Sequence, residues 1–250
     1  MKTNEDKFTG KSKLYNAYRP CYPASLIDYL YSETGLTSDS VIADIGSGTG
    51  IFSRMLAAKG STVLCVEPNR AMAAIAKSES EHFPNCIFIN AAGECTGIDS
   101  GSVHFITAAQ AFHWFEPSDF KAECRRILAP GGKAILVWNR NDMNSAPALD
   151  IHRLNKMLCP EYQGPSGGLR EQSGIFEDFF KDGIYTCAEF ENNLTLDEEH
   201  FVGRSLSSSF APEEEDSAVY AEQMRLLFNK HSRKGQVLLP MTCRVYWGQV

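Results

Sequence analysis

The run Val41-Ile42-Ala43-Asp44-Ile45-Gly46-Ser47-Gly48-Thr49-Gly50 sets three glycines at alternate positions directly after an apolar stretch that carries one acid. Glycine removes side chains where a chain must turn sharply, and it lets a ligand approach the backbone. Ile51, Phe52, Met55 and Leu56 follow at helical spacing, so the turn opens a helix whose first amide groups face that ligand. A second apolar run, Val63-Leu64-Cys65-Val66, ends at Glu67. A carboxylate at the end of the second strand of such a unit can accept hydrogen bonds from both hydroxyls of a ribose. The chemistry these residues predict is recognition of a nucleotide-type cofactor.

The elements that must position them alternate. Val41–Ile45 is short and rich in β-branched residues, as expected of a strand buried on both faces of a parallel sheet. Strand and helix then alternate to Trp138, which predicts an α/β, doubly wound, mostly parallel sheet with crossover helices. Asn69 is placed to cap the helix that carries Met72 and Ile75. In a sheet of this kind ligands sit beyond the carboxyl ends of the strands, which brings Gly46–Gly50, Glu67, Gly93-Glu94 and Gln110–Phe115 to one place. Upstream, a polar segment expected to be mobile runs to about Ser12, and Pro23 opens a helix with Leu26, Ile27 and Leu30 as its apolar stripe. After Asn139 the chain turns rich in Asn, Pro and Gly, with a short helix around Leu149–Leu158. Beyond that, a strand is expected over Ile184–Phe190, helices over Leu196–Arg204 and Pro212–Lys230, and a last strand over Gln236–Tyr246. The Glu213-Glu214-Glu215 run suits the positive end of a helix dipole.

A dinucleotide turn usually reads G-x-G-x-x-G, whereas this one reads G-x-G-x-G with Asp44 before it. In that form the sequence resembles the class I S-adenosylmethionine-dependent methyltransferases, whose first motif is (D/E)-x-G-x-G-x-G. The resemblance extends across most of residues 8 to 140. Ala92-Gly93-Glu94 is similar to the loop after the third strand, with Ala92 where many relatives have Asp. Val103–Phe115 (VHFITAAQAFHWF) resembles the branch of methyltransferase type 11 that includes trans-aconitate and quinone-biosynthesis methyltransferases, and Arg126–Gly132 followed by Lys133–Val137 is similar to the helix, turn and fifth strand of the same fold. The resemblance implies a seven-stranded Rossmann-like sheet whose last strand is antiparallel. It implies S-adenosylmethionine as cofactor and S-adenosylhomocysteine as product. It further implies cofactor contacts from Asp44, Gly46, Ser47, Gly48, Gly50, Glu67, Pro68, Met72, Gly93, Glu94 and Gln110. Tyr15, Tyr18 and Arg19 would form a lid, or else simply pack as an aromatic N-terminal segment.

His113 and Trp114, in the loop after the fourth strand, have two readings. An imidazole with an ordinary pKa near ~6.5 can take a proton from an acceptor hydroxyl or bond a carboxylate. An indole can wall off water and favour a sulfonium electrostatically. Alternatively His113 braces its loop while Trp114 packs under the N-terminal helix; since displacement at a sulfonium depends on positioning, the bracing role is expected.

Composition narrows the class. In 250 residues one domain can bury a substantial core; we expect a cap segment over 1–35, a cofactor-binding core over 36–140, and an insertion with completion of the sheet over 141–250. A net charge of -7 and a pI near 5.4 argue against a broad nucleic-acid surface, so a small-molecule acceptor is expected. The eight cysteines show no C-x-x-C pair and no metal-ligand spacing. With no apolar leader and no run of ~20 apolar residues, no membrane association is expected and the cytoplasm is the expected compartment. The acceptor class stays open among carbon, oxygen and nitrogen. A carboxylate is suggested by the resemblance, with Arg19, Arg140 and Arg170 as candidate clamps. Two other functions remain, a nicotinamide-dependent oxidoreductase and a non-catalytic sensor or partner subunit that binds the same cofactor.

Overall fold

The computed structural model of the protein describes residues 10–165 and 174–250, apart from the side chains of Glu214 and Glu215; Arg170, expected as a candidate clamp, lies outside the described residues. Helices α1 (Ser12–Tyr18) and α2 (Ala24–Glu33) precede strand β1 (Val41–Ile45). There follow α3 (Ile51–Ala57), β2 (Thr62–Val66), α4 (Arg70–Glu79), β3 (Cys86–Ile89), β4 (Val103–Ala109), α5 (Pro117–Ile127) and β5 (Leu128–Asn141). The remainder comprises α6 (Ala146–Leu158), α7 (Ile175–Phe179), β6 (Thr186–Glu191), β7 (Leu194–Leu196), α8 (Glu198–Leu206), α9 (Glu214–His231), β8 (Val237–Leu239) and β9 (Met241–Gly248).

Seven strands form one sheet in the order β3-β2-β1-β4-β5-β9-β6. Pairings from β3 to β5 are parallel, and β9 runs antiparallel to both β5 and β6. The expected doubly wound sheet with an antiparallel last strand is therefore present. Side chains alternate across it, as the pleat requires. Ile42 of β1 and Ile135 and Val137 of β5 face a cluster with Leu26, Leu30, Phe52 and Leu56. Ala43, Ile45, Leu136 and Trp138 face another built on Phe112, Phe120, Phe176 and Phe179. Strands covered on both faces this way need apolar residues at successive positions, which explains the unbroken AILVW run and the VIADI run interrupted only by Asp44.

A third cluster lies off the sheet. Ala148, Ile151 and Leu154 of α6, Phe201 and Val202 of α8, Tyr220, Met224 and Phe228 of α9, and Val237 and Leu239 of β8 form the core of a cap. Helices α6, α8 and α9, with β7 and β8, build this cap. Its presence also splits the expected Gln236–Tyr246 strand: β8 pairs with β7 in a separate two-stranded sheet, and β9 joins the main one. Pro240, which lacks an amide donor, sits at the switch between the two sheets. Likewise Leu194–Leu196 is a strand, and α8 begins only after Asp197, whose carboxylate caps the His200 amide at 2.9 Å.

The N-terminal segment also departs from expectation. Lys11 and Ser12 are buried, and Lys11 Nζ donates to the carbonyls of Ala211 (2.6 Å) and Ser208 (3.3 Å). Helix α1 thus straps the sheet to the cap: Asn16 Nδ2 bonds Glu79 of α4 at 3.2 Å, and the Tyr18 hydroxyl bonds Glu199 of α8 at 2.9 Å. Among the described residues no helix is long and apolar enough to cross a membrane.

Candidate functional site

One cavity of about 530 Å³ gathers residues from the ends of β1, β2, β3, β4 and β5 and from the cap. Its volume lies in the range of ~300–1,000 Å³ usual for small-molecule sites. It sits where strand order reverses between β1 and β4, the position at which open α/β sheets bind ligands.

The glycine turn forms its floor. Gly46 and Ser47 donate backbone amides to the Val66 carbonyl (2.9 and 3.0 Å), which closes the turn onto β2. Gly46, Gly48 and Gly50 all have positive φ, the conformation that favours glycine. Their reasons otherwise differ. A Cβ on Gly46 would lie 2.6 Å from Ala111 Cβ, and one on Gly50 would meet Arg54 and Ala76 at 3.2–3.3 Å. Those two glycines admit neighbouring elements. Gly50 does not line the cavity, which corrects its assignment as a ligand contact. Gly48 does line it, and a Cβ there would have Met72 Cε as its sole neighbour within 4 Å, at 3.5 Å.

Glu67 is buried, and its two carboxylate oxygens accept the amides of Gly48 and Asn69, both at 2.9 Å. It therefore holds the turn's backbone as well as facing the cavity. Asn69 caps α4 as expected, accepting from the Ala71 and Met72 amides at 3.0 Å. Pro68, Met72, Gly93 and Glu94 line the same space, and Glu94 accepts the Glu116 amide at 3.0 Å. Gly93 has no room for a Cβ, which would lie 2.7 Å from the Phe115 ring.

Asp44 lines the cavity but is fully committed to the protein. One oxygen accepts the Thr107 hydroxyl at 2.7 Å and the other the Ser53 hydroxyl. Its role is to lock β1, α3 and β4 together beneath the turn. Burial holds its carboxyl up at about 6 from an ordinary 3.8, against the two hydroxyl bonds that pull it down. A carboxyl raised on folding contributes stability that is complete below pH 4 and lost as pH rises through about 6. The shift corresponds to about 3 kcal/mol. Asp44→Asn should therefore gain stability relative to the wild type as pH goes from 4 to 7. Urea denaturation of both proteins across that range measures it, and a difference independent of pH would refute the ionisation of Asp44 as the cause.

Gln110 follows β4 in a left-handed conformation (φ 57°), and its side-chain Nε2 donates to the Asn139 carbonyl at 2.9 Å. Its amide is thus spent on β5, in a backbone state that costs a non-glycine residue roughly 1–3 kcal/mol. His113 and Trp114 lie on the 3₁₀ turn Phe112–Trp114, their rings 4.7 Å apart, and both line the cavity. Tyr15 and Arg19 line it too, with the Arg19 guanidinium 4.9 Å over the Tyr15 ring. Burial raises the Tyr15 hydroxyl pKa, with Arg19 opposing and Glu67 adding, so α1 overlies the turn. Tyr18 takes the packing alternative. It packs against α8, where its ring would be 2.7 Å from any Cβ on Gly203, and it does not line the cavity.

Several lining residues escaped the sequence reading. Arg204 of α8, the pair Asn155–Tyr220 (2.6 Å) and the pair His152–Tyr162 (2.9 Å) bring cap polarity into the cavity. For Arg204 a signal existed: one turn from Phe201, it puts a cation on the apolar stripe of its helix.

The site fits an elongated polar cofactor. The Ser47 and Thr49 hydroxyls are enclosed at the glycine turn without a hydrogen-bond partner, which is costly unless a ligand supplies one. Among the described residues no group of three or more His, Cys, Asp or Glu is arranged to hold a metal ion.

Comparison with known proteins agrees with this geometry. A family model described as a methyltransferase domain matches residues 43–136. An uncharacterized methyltransferase-like protein of Schizosaccharomyces pombe is 30% identical over 212 residues, covering 83% of this chain and 80% of that protein. A second uncharacterized methyltransferase of the same yeast is 26% identical over 214 residues, covering 83% of this chain and 82% of that one. Among solved structures, a proposed type II methyltransferase from Anaeromyxobacter dehalogenans superposes with a TM-score of 0.65 at 24% identity, over 93% of this chain and 98% of that one. At that identity the likeness speaks for the fold alone.

Proposed function

Since this chain belongs to the class I S-adenosylmethionine-dependent methyltransferases, in the type 11 branch, we propose that it binds S-adenosylmethionine at the glycine turn and methylates a small molecule enclosed beneath the cap. The observation that carries this is the single cavity joining Gly48, Ser47 and Glu67 at one end to Arg204 and the cap at the other. Bound S-adenosylmethionine supplies a methyl carbon already activated on a sulfonium, so transfer is an in-line displacement with a neutral thioether leaving. The chain's residues have to orient and enclose. Glu67 would accept the ribose hydroxyls, the Ser47 and Thr49 hydroxyls would take the methionine part, and Met72 and Pro68 would border the base. Tyr15 and Arg19 close the site from α1, and His113 and Trp114 wall it toward the acceptor. Excluding water and fixing the approach of the acceptor accounts for most of the catalysis required.

An acid-lined turn and an enclosed cavity favour a small acceptor over nucleic acid or a membrane lipid. A carboxylate-bearing acceptor is our preferred class, because guanidinium groups face the cavity from α1 and α8. The nicotinamide-dependent oxidoreductase is set aside with the family assignment. A sensor that binds cofactor without turnover differs only in assay. Calorimetric titration with S-adenosylmethionine, then labelled methyl transfer over fractionated metabolite pools, tests the proposal. We expect binding and at least one methylated fraction; absence of binding would overturn it, and binding without transfer to any pool would favour the sensor.

His113 supplies a further test. We expect His113→Ala to lower cofactor affinity, melting temperature and turnover together, because its ring braces the turn that follows the strained Gln110. Normal binding and melting with turnover down roughly 10²-fold, recovering at high pH where the acceptor ionises by itself, would instead make His113 a general base.

A further inference from the structure

We propose that the methyl acceptor carries an oxyanion, a carboxylate or a phosphate, and that Arg204 of α8 is the residue that binds it. This rests on the reading above, that the glycine-turn end of the cavity holds S-adenosylmethionine.

The acids of the cavity are committed to the protein, and two of its cations, Arg204 and Arg19, are not fully so. The acids Asp44, Glu67 and Glu94 lie at the strand ends, and every one accepts hydrogen bonds from the protein. Cations face the cavity too: Arg204 from α8, Arg140 from the end of β5 and Arg19 from the residue after α1. Arg204 donates from Nη2 to Asn141 Oδ1 at 3.0 Å and touches Met241 Sδ at 3.6 Å. Its Nε is enclosed and has no hydrogen-bond partner, and among the described residues no carboxylate pairs with it. Arg19 presents a second enclosed Nε without a partner. A guanidinium has five N–H donors in a fixed fork, and an enclosed one without a counter-charge is costly to the fold.

The cost is visible on Arg204 itself. Burial first, then repulsion from Arg19, brings its guanidinium down to about 10 from 12.5. Two guanidinium groups close enough to repel, facing one cavity, give a favourable site for a planar or tetrahedral oxyanion. Ser205 and Ser208 line the cavity beside Arg204, and Ile151 and Phe210 supply apolar wall. The acceptor that fits is a small molecule with an anionic end at Arg204 and its nucleophilic atom toward the turn.

The test uses the full chain and calorimetry. S-adenosylhomocysteine is titrated first. Succinate, inorganic phosphate and the neutral succinamide are then titrated with and without S-adenosylhomocysteine. We expect succinate or phosphate to bind and succinamide not to, and which of the two binds tells a carboxylate acceptor from a phosphorylated one. Arg204→Met should weaken that binding at least tenfold while S-adenosylhomocysteine affinity stays within about twofold, and Arg204→Lys should retain part of it. The ligand-free melting temperature of Arg204→Met should be unchanged or higher, because an unpaired enclosed cation has been removed; a merely structural arginine would lower it.

Three results would overturn the proposal: neither anion binds the wild type at millimolar concentration, Arg204→Met binds it as the wild type does, or Arg204→Met loses S-adenosylhomocysteine affinity tenfold, which would make Arg204 a cofactor ligand. Misfolding of both Arg204→Met and Arg204→Lys would also overturn it, in favour of a structural role. If S-adenosylhomocysteine fails to bind the wild type, the cofactor reading falls, and the anion titration made without it still judges Arg204.

Discussion

Gly48→Val should abolish measurable binding of S-adenosylmethionine, with affinity down at least about a hundredfold, while the protein still folds. The asymmetry comes from what surrounds the position. A Cβ at residue 48 meets Met72 Cε alone, at an ordinary contact distance of 3.5 Å, so the branched side chain enters the cavity and not the core. The backbone adds a cost, since φ is +58° and a β-branched residue is strained there by roughly 1–3 kcal/mol. The melting temperature should therefore fall by several degrees, without loss of the cooperative transition. Gly48→Ala separates the two effects, because it carries the strain with little of the bulk. Gly46→Ala behaves differently: its Cβ would sit 2.6 Å from Ala111 Cβ, so the loss should be in the fold before any ligand is added. Calorimetry beside thermal melts reads all three, and near-wild-type affinity in Gly48→Val would remove the glycine turn from the cofactor site.

Glu67→Ala is expected to weaken cofactor binding by about a hundredfold and to destabilise the ligand-free protein as well. Hydrogen bonds to a charged group are typically worth ~1.5–3 kcal/mol each, and water recovers part of that loss for the ribose. A hundredfold in affinity is about 2.7 kcal/mol. Beyond the proposed ribose contact, the carboxylate accepts the Gly48 and Asn69 amides. Its removal loosens the turn that the cofactor needs and leaves a buried amide without its acceptor. Glu67→Gln keeps an acceptor oxygen and should fall between the two. Should Glu67→Ala bind S-adenosylmethionine as tightly as the wild type, the ribose assignment is wrong; should it bind weakly but melt normally, its hold on the turn contributes nothing.

The parts of this protein that were legible beforehand are those decided within a few residues. Val41–Ile45, the turn, α3, Glu67 at the end of β2 and the Asn69 cap are all local patterns, and the structure has each where the sequence predicts it. The number of strands and the antiparallel last strand came from resemblance, since nothing in β9 itself announces its direction. The direction of a side chain on a helix was less legible. Tyr15 and Tyr18 are three residues apart in one aromatic cluster, yet one lines the cavity and the other packs on α8. Which glycine meets a ligand and which meets a neighbouring element was equally hidden, because Ala111 and Ala76 come from distant parts of the chain.

The sequence by itself therefore determined the half of the cavity proposed for the cofactor: a strand, a turn with positive φ and an acid at fixed spacing, held by backbone geometry and short-range hydrogen bonds. Only the tertiary structure decided the half proposed for the acceptor. Arg204, Asn155 and Tyr220 reach the cavity through the packing of α6, α8 and α9 around their own apolar core, beside the separate sheet of β7 and β8. Those contacts join residues far apart in the chain, and each is set by which apolar faces bury one another. A periodic pattern tells that a helix has a buried face; it does not tell which polar side chain at the edge of that face will be left looking into a cavity.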